Sequence, residues 1–209
     1  RMLREGRIQA QLNHPHIVRV TDVLRDDGMV GLLMDYIEGQ TLEQLIAEGG
    51  ARSVEDCLRL MAPVLSAVAA AHDARVLHRD LKPANVLLEQ RGSMLVPKVT
   101  DFGIAKALSD SGDPSGTRPN AVLGTPAYMA PEQFLDAAQV TPAVDVFSLA
   151  VVTHFVLTGA PVFVEPAEGT PLVARIIREP TPLPDGVPEA VRAALAQAMS
   201  TEPDERFPD

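Results

Sequence analysis

Apolar positions along the chain fall into runs whose spacing limits the elements they can form. Met2, Leu3, Ile8 and Leu12 lie among charged residues in an imperfect helical stripe that ends before Asn13-His14-Pro15. Ile17 to Leu24 and Met29 to Ile37 are rich in Val, Leu and Ile and are separated by Asp26-Asp27-Gly28, which predicts a hairpin. From residue 40 the pattern turns helical. Leu42 to Ala47 predicts a short helix. Val54 to Ala74 predicts a long one, opened by Ser53 three residues before Asp56 in a capping-box pattern and expected to bend at Pro63. Residues 75–100 are mixed, with a strand expected at Val96 to Thr100. Residues 104–126, rich in Gly, Ser, Thr, Asp and Pro, predict a long loop of the kind that is functional or disordered. Further helices are predicted at 132–138, 144–158, 171–178 and 188–200, joined by Pro-rich connections such as Pro180 to Pro184. The plan is a small β-containing piece followed by a mostly helical lobe, without internal repeats.

Composition narrows this picture. With 209 residues, 46% of them hydrophobic, the chain can bury one sizeable core, as one domain or a domain with a small appendage. A formal net charge of -10 without any Lys/Arg cluster argues against nucleic acid or an anionic membrane as partner. Cys57 is the single cysteine, so there is neither a disulfide framework nor a thiolate metal site, which suits a reducing cytoplasm; it is expected to pack as a small apolar side chain. The most apolar stretch, Val144 to Phe163, is interrupted by Asp145, His154, Gly159 and Pro161, and is read as a buried helix rather than a membrane span. The chain opens on Arg1 and stops at Asp209 after a Pro-rich segment, so it is expected to be an excerpt or a truncated product.

The chemistry lies in four short segments. Val76-Leu77-His78-Arg79-Asp80-Leu81-Lys82-Pro83-Ala84-Asn85-Val86 puts a carboxylate, a cation and an amide within six residues. Asp101-Phe102-Gly103 places a second carboxylate after the expected strand. Ala130-Pro131-Glu132, preceded by Gly124-Thr125-Pro126, closes the long loop, and Asp145 opens the apolar helix, where an unpaired acid would be costly to bury. Alone, an Asp followed by Lys in a loop is usually a solvated turn and the tripeptide is weak. Their order and spacing are specific, and together they resemble the protein kinases, in particular the bacterial Ser/Thr kinases of the eukaryotic-like type. Aminoglycoside-type kinases share a similar Asp and Asn pair but lack the Ala-Pro-Glu segment and the downstream acid.

The resemblance implies an α+β protein kinase-like fold with ATP and Mg2+ as cofactors and Ser/Thr of proteins as acceptors. By it, residues 1–37 are a remnant of the N-terminal lobe (the αC helix and two strands to the hinge), and residues 38–209 are the C-terminal lobe, cut before its last helix. Asp80 orients the substrate hydroxyl and accepts its proton, Lys82 neutralises the transferring group, and Asn85 and Asp101 bind magnesium. Lys82, with Gly124-Thr125, resembles Ser/Thr rather than tyrosine kinases, and Thr125 is implied to hydrogen-bond Asp80 and Lys82. Met34 resembles the gatekeeper, with the backbone of Asp35 and Ile37 facing adenine and Leu87 beneath it, although Met34 and Leu87 equally suit plain core. Glu132 is implied to pair with Arg206, and Asp145 to anchor the catalytic loop backbone. Arg79 and Thr117 are implied to be regulatory, Thr117 as the main autophosphorylation site.

Two parts of the family pattern do not occur. The lysines are Lys82, Lys98 and Lys106, and there is no Gly-x-Gly, so the Gly-rich loop and the strand Lys that pairs with the acid at Glu5 are missing. They belong before Arg1, and the excerpt is expected to be a poor enzyme. Gln9 and Ala150 are milder departures from the family pattern. The other reading is a pseudokinase-like docking module; intact Asp80, Lys82, Asn85 and Asp101 speak against it. A kinase dimer is left open, no membrane segment is expected within the chain, and a cytoplasmic location is expected, either free or as the cytoplasmic part of a membrane protein.

Overall fold

The computed structural model describes residues 12–26, 29–102, 126–135, 140–163 and 180–208. The expected helices at 1–12 and 171–178, the second half of 132–138, and nearly all of the long loop lie outside the described residues.

The expected hairpin forms with shifted bounds: β1 (Val20–Asp26) pairs antiparallel with β2 (Met29–Met34), from Val20 opposite Met34 to Asp26 opposite Met29, with an irregularity between Val20 and Asp22. The chain before β1 belongs to the other sheet. Val18 N–H donates to Val99 C=O (2.8 Å) and Val99 N–H to His16 C=O (2.8 Å), so the run from Ile17 is pinned alongside the second sheet before the hairpin begins.

That second sheet is antiparallel in the order β3 (Gly39–Thr41), β4 (Val86–Arg91), β5 (Met94–Val99). Val86 and Leu88 face the core and are fully buried, while Leu87 and Glu89 point to the other face at intermediate exposure. Gly39 is required by close approach, since a Cβ there would overlap the Leu88 carbonyl oxygen of the neighbouring strand.

Thr41 ends β3 and caps α1 (Leu42–Gly49): its hydroxyl accepts from Gln44 N–H and the Gln44 side chain accepts from Thr41 N–H, a complete capping box. Ser53 caps α2 (Val54–Asp73) by accepting from Asp56 N–H at 3.1 Å, and the helix runs unbroken through Pro63. Cys57, Leu60, Met61, Val64, Ala67, Val68 and Ala71 form its buried stripe at three- and four-residue spacing. That stripe meets α4 (Ala143–Thr158), which is apolar on every side and lies inside the lobe, as a helix of that composition must. Cys57 seals this contact, with its sulfur 3.9 Å from Thr153 C=O, and burial pushes its thiol up to about 11. Gly159 ends α4 in the left-handed conformation (φ 68°). The short α3 (Glu132–Leu135) and α5 (Glu189–Ala198) complete the described helices. Among the described residues no helix is long and apolar enough to cross a membrane.

Two buried histidines give the fold an acid limit. His78 is fully buried, its Nε2 2.9 Å from Thr100 C=O; His154 is 1% exposed, its Nε2 2.7 Å from Thr181 C=O. Burial lowers both pKa values, and for His78 it outweighs the opposing pull of Asp145, Asp80 and Asp101. A depressed imidazole pKa means that the unfolded chain binds protons first on acidification. The stability is therefore full above the ordinary value of 6.5 and is lost as pH falls below it. The thermal midpoint is expected to drop between about pH 7.5 and 5.5. His154→Gln, which can still donate to Thr181 C=O, should flatten part of that drop in a melting series; an unchanged acid limb would remove His154 from the account.

Candidate active site

The loop that leaves α2 begins at Arg75 (φ 60°), whose N–H donates to His72 C=O at 2.7 Å. Val76, His78 and Leu81 then turn inward and are buried, which leaves Arg79, Asp80 and Lys82 half-buried at the surface, while Asn85 is buried. Pro83–Asn85 forms one 3-10 turn that delivers the chain into β4.

The backbone of this loop closes on a single carboxylate. Asp145, in the first turn of α4, is fully buried. Its Oδ2 accepts from His78 N–H (2.7 Å) and lies 2.8 Å from His72 Nε2, while Oδ1 accepts from Arg79 N–H (2.8 Å). A buried carboxylate costs several kcal/mol in lost hydration, roughly, unless donors replace the water. Three directed donors do so here, and in exchange Arg79 is held at φ 68°, a region that non-glycine residues seldom occupy.

The residue after that strained turn is Asp80. Lys82 Nζ donates to its Oδ2 at 2.8 Å, and Asn85 Nδ2 donates to its backbone oxygen at 2.8 Å and approaches Oδ2 at 3.4 Å. Both members of the Asp80–Lys82 pair are about one-fifth exposed, so they remain open to a ligand. Asp101 arrives from the end of β5: Thr100 N–H donates to Asn85 C=O (3.0 Å), which ties the strand end to the loop. Asp101 is exposed and, like Arg79, has a positive φ (64°). Phe102 is buried with its ring 4.7 Å from that of His78.

Behind this cluster a small cleft is lined by Leu12, Val20, Met34, Thr100, Asp101 and Phe102 among others. Met34 ends β2, and its sulfur accepts from Thr100 Oγ1 at 3.8 Å. Asp35 N–H is spent on Arg19 C=O (3.0 Å), leaving its carbonyl free of that bond; Asp35 is exposed, Ile37 half-buried, and Leu87 half-buried on β4.

On the far side, Arg206 grips Glu132 with two parallel bonds of 2.7 and 2.9 Å. It also donates to the carbonyls of Ser200, Ala143 and Thr201 and stacks 5.0 Å over Phe147. Its guanidinium is 0% exposed while Glu132 is only half-buried, so a buried cation with all its donors directed meets a partly exposed acid. It fastens the segment that follows the long loop to the base of α4. Glu5, Gln9, Thr117 and Thr125 lie outside the described residues.

Sequence reasoning did not single out His72, Thr100, Gln133 and Ser148. His72 could have been noticed as a histidine on the buried stripe of α2, one turn before the loop. Ser148 Oγ donates to Tyr128 C=O (2.7 Å), a contact between segments twenty residues apart that leaves no local pattern.

A carboxylate, a lysine and an amide on one loop, facing a second carboxylate at a strand end beneath a two-stranded sheet, is the arrangement of the protein kinase fold. The chain belongs to the protein kinase domain family, whose model matches residues 1–207. It is 39% identical over 206 residues to the serine/threonine-protein kinase PkaA of Streptomyces coelicolor, covering 99% of this chain and 37% of that protein. It is 33% identical over 211 residues to the serine/threonine-protein kinase PrkC of Bacillus subtilis, covering 99% of this chain and 31% of that protein. The chain thus spans about a third of the length of these curated relatives. Among solved structures, Rad53 in complex with AMP-PNP superposes with a TM-score of 0.77 at 27% identity, over 98% of this chain and 51% of that one. Protein kinases use ATP and Mg2+, and the ATP analogue in that complex accords with it.

Replacing Asp145 by Asn tests the anchor. The amide can accept at one atom only, so one loop N–H loses its partner, at a cost of about 1–3 kcal/mol. Urea titration should show a lower midpoint, and hydrogen exchange should rise first at His78 and Arg79. Unchanged stability and exchange would mean that the loop is held by something other than this carboxylate.

Proposed function

We propose that this chain is the catalytic core of a Ser/Thr protein kinase, moving the γ-phosphoryl group of Mg-ATP to a hydroxyl of a protein substrate. The observation that supports it most is the cluster of Asp80, Lys82 and Asn85 within hydrogen-bond reach, on a loop whose backbone Asp145 fixes. Phosphoryl transfer asks the protein mainly for positioning and charge, and these are what such a cluster supplies. Asp80 orients the acceptor hydroxyl and takes its proton. Lys82, already resting on Asp80, neutralises the oxygens of the group in transit. Both act from a backbone that cannot drift, because the strained Arg79 is tied to the base of α4.

The donor set fits the metal and nucleotide. Asn85 spends its Nδ2 on Asp80, which leaves its side-chain oxygen as a ligand, and Asp101 adds an exposed carboxylate. One amide oxygen and one carboxylate suit Mg2+, which keeps its other positions for water and phosphate oxygens. When bound, the ion supplies charge neutralisation of the phosphates. Met34, the Asp35 carbonyl, the Ile37 backbone and Leu87 would take the adenine, at the junction between residues 1–37 as the smaller lobe and 38–209 as the larger. Thr125 is assigned to hydrogen-bond Asp80 and Lys82, and Arg79 with Thr117 to regulation through a phosphorylated loop. A cytoplasmic kinase unit of a larger protein is compatible with the chain's match to about a third of PkaA and PrkC.

Substituting Asp80→Asn preserves shape and hydrogen bonding but removes the base. In the protein extended upstream through a Gly-rich loop and strand Lys, turnover on a generic Ser/Thr protein substrate is expected to fall on the order of 100-fold or more, with nucleotide affinity little changed. Near wild-type turnover in that variant, measured with radiolabelled ATP, would refute the assignment.

A further inference from the structure

Asp145 holds the peptide unit before Arg79, not the one that joins Arg79 to Asp80. Its carboxylate takes the N–H of Arg79, but the direction in which Asp80 leaves the turn is set by the Arg79–Asp80 peptide plane. The handle on that plane is the Arg79 carbonyl. Among the described residues Asp80 N–H has only a long contact, 3.4 Å to His78 Nδ1.

The Arg79 carbonyl accepts from Gln133 Nε2 at 2.8 Å. Gln133 sits in α3, immediately after Glu132, and its other amide atom is also in use: Oε1 accepts from Ala130 N–H at 3.0 Å. The two bonds fix which end of the amide is oxygen, because a flipped amide would set an N–H group against the Ala130 N–H and an oxygen against the Arg79 oxygen. Ala130 is fully buried, and the next residues are clamped by the Glu132–Arg206 pair. The side chain of Gln133 is therefore a short bracket on a rigid mount, one end on the segment that closes the long loop and the other on the strained turn.

We infer that Gln133 is a positioning residue which sets the Arg79–Asp80 peptide plane, so that the seating of segment 126–135 is transmitted to the Asp80 carboxylate. The inference rests on the catalytic reading of Asp80. A residue with positive φ has few stable neighbours, and rotation of its following peptide plane is the soft motion left once its N–H is fixed. The Gln133 bond opposes that rotation. When segment 126–135 is seated on α4, the bracket is in place and Asp80 faces the acceptor; when the segment lifts, the carbonyl is released and Asp80 loses its aim. Substrate-side contacts thereby become a condition for catalysis without any contact between Gln133 and substrate.

Two variants separate this role from a local structural one. Gln133→Glu keeps the acceptor for Ala130 N–H but presents an oxygen to the Arg79 carbonyl; Gln133→Met removes both bonds at similar volume. Both are expected to lower kcat about tenfold, the scale of one lost hydrogen bond at a half-buried carbonyl, with KM for ATP within about twofold of wild type. Amide exchange at Asp80 should accelerate by a similar factor while the thermal midpoint of the Glu variant stays near that of wild type. If Gln133→Glu retains wild-type turnover and Asp80 exchange, the bracket to Arg79 is refuted and only the Ala130 bond matters. If the loss comes with a general fall in stability and a uniform rise in exchange, Gln133 is merely structural and the inference is likewise refuted. Turnover is read in the protein extended upstream through a Gly-rich loop and strand Lys; should that wild-type protein transfer no phosphate at all, the catalytic reading fails, and the exchange at Asp80 alone decides whether the bracket exists.

Discussion

The carboxylate of Asp145 is the point on which the site depends. It is fully buried, and it bonds two consecutive backbone N–H groups and a histidine from a third element. Because the acid sits in the first turn of α4, the most deeply buried helix, its position is set by the core rather than by the surface. The catalytic loop inherits that rigidity. Arg79 and Asp101, two of the three described non-glycine residues with positive φ, each stand at the point where the chain presents an acid to solvent. Strain of this kind persists only where neighbours over-determine it. The buried histidine–phenylalanine contact and the Thr100–Asn85 bond are those neighbours.

A division of labour follows. The apolar stripe of α2 and the all-round apolar α4 make a frame that holds without the site, and the site is a set of polar bonds strung across it. The Glu132–Arg206 pair repeats the logic beside the same end of α4, where a buried guanidinium with every donor engaged, one of them on Ala143 C=O, fixes α3. Each anchor buries one charged group, the Asp145 carboxylate or the Arg206 guanidinium, so each is costly unless its partners are complete. Such anchors favour one geometry over near alternatives more than they add stability.

Much of this was legible before any coordinates. The long helices followed from periodicity, Ser53 marked the start of α2, and an acid in an apolar run announced that Asp145 must have partners. The order and spacing of Asp80, Lys82, Asn85 and Asp101 pointed to phosphoryl transfer through their resemblance to the kinase motifs, since each group taken alone reads as an ordinary loop residue. Less visible were β3 and β4. The first is three residues long and exists because Gly39 lets it approach Leu88; the second shares an apolar run with the catalytic loop, so composition alone does not separate strand from loop. The hairpin bounds shifted because Ile17 and Val18, apolar like the strand after them, are paired with β5 instead. Gln133 had no local signature: a glutamine after a helix start is ordinary, and its meaning lies in a carbonyl 54 residues away.

The one thiol of the chain lies where α2 meets α4, and burial has raised its pKa to about 11, so at neutral pH it is almost wholly protonated and shielded. Thiol chemistry runs through the thiolate. Any reagent that reaches Cys57 must wait for the two helices to part. The chain thus carries an internal clock: the rate at which a dissolved disulfide titrates Cys57 counts how often the frame beneath the active site opens.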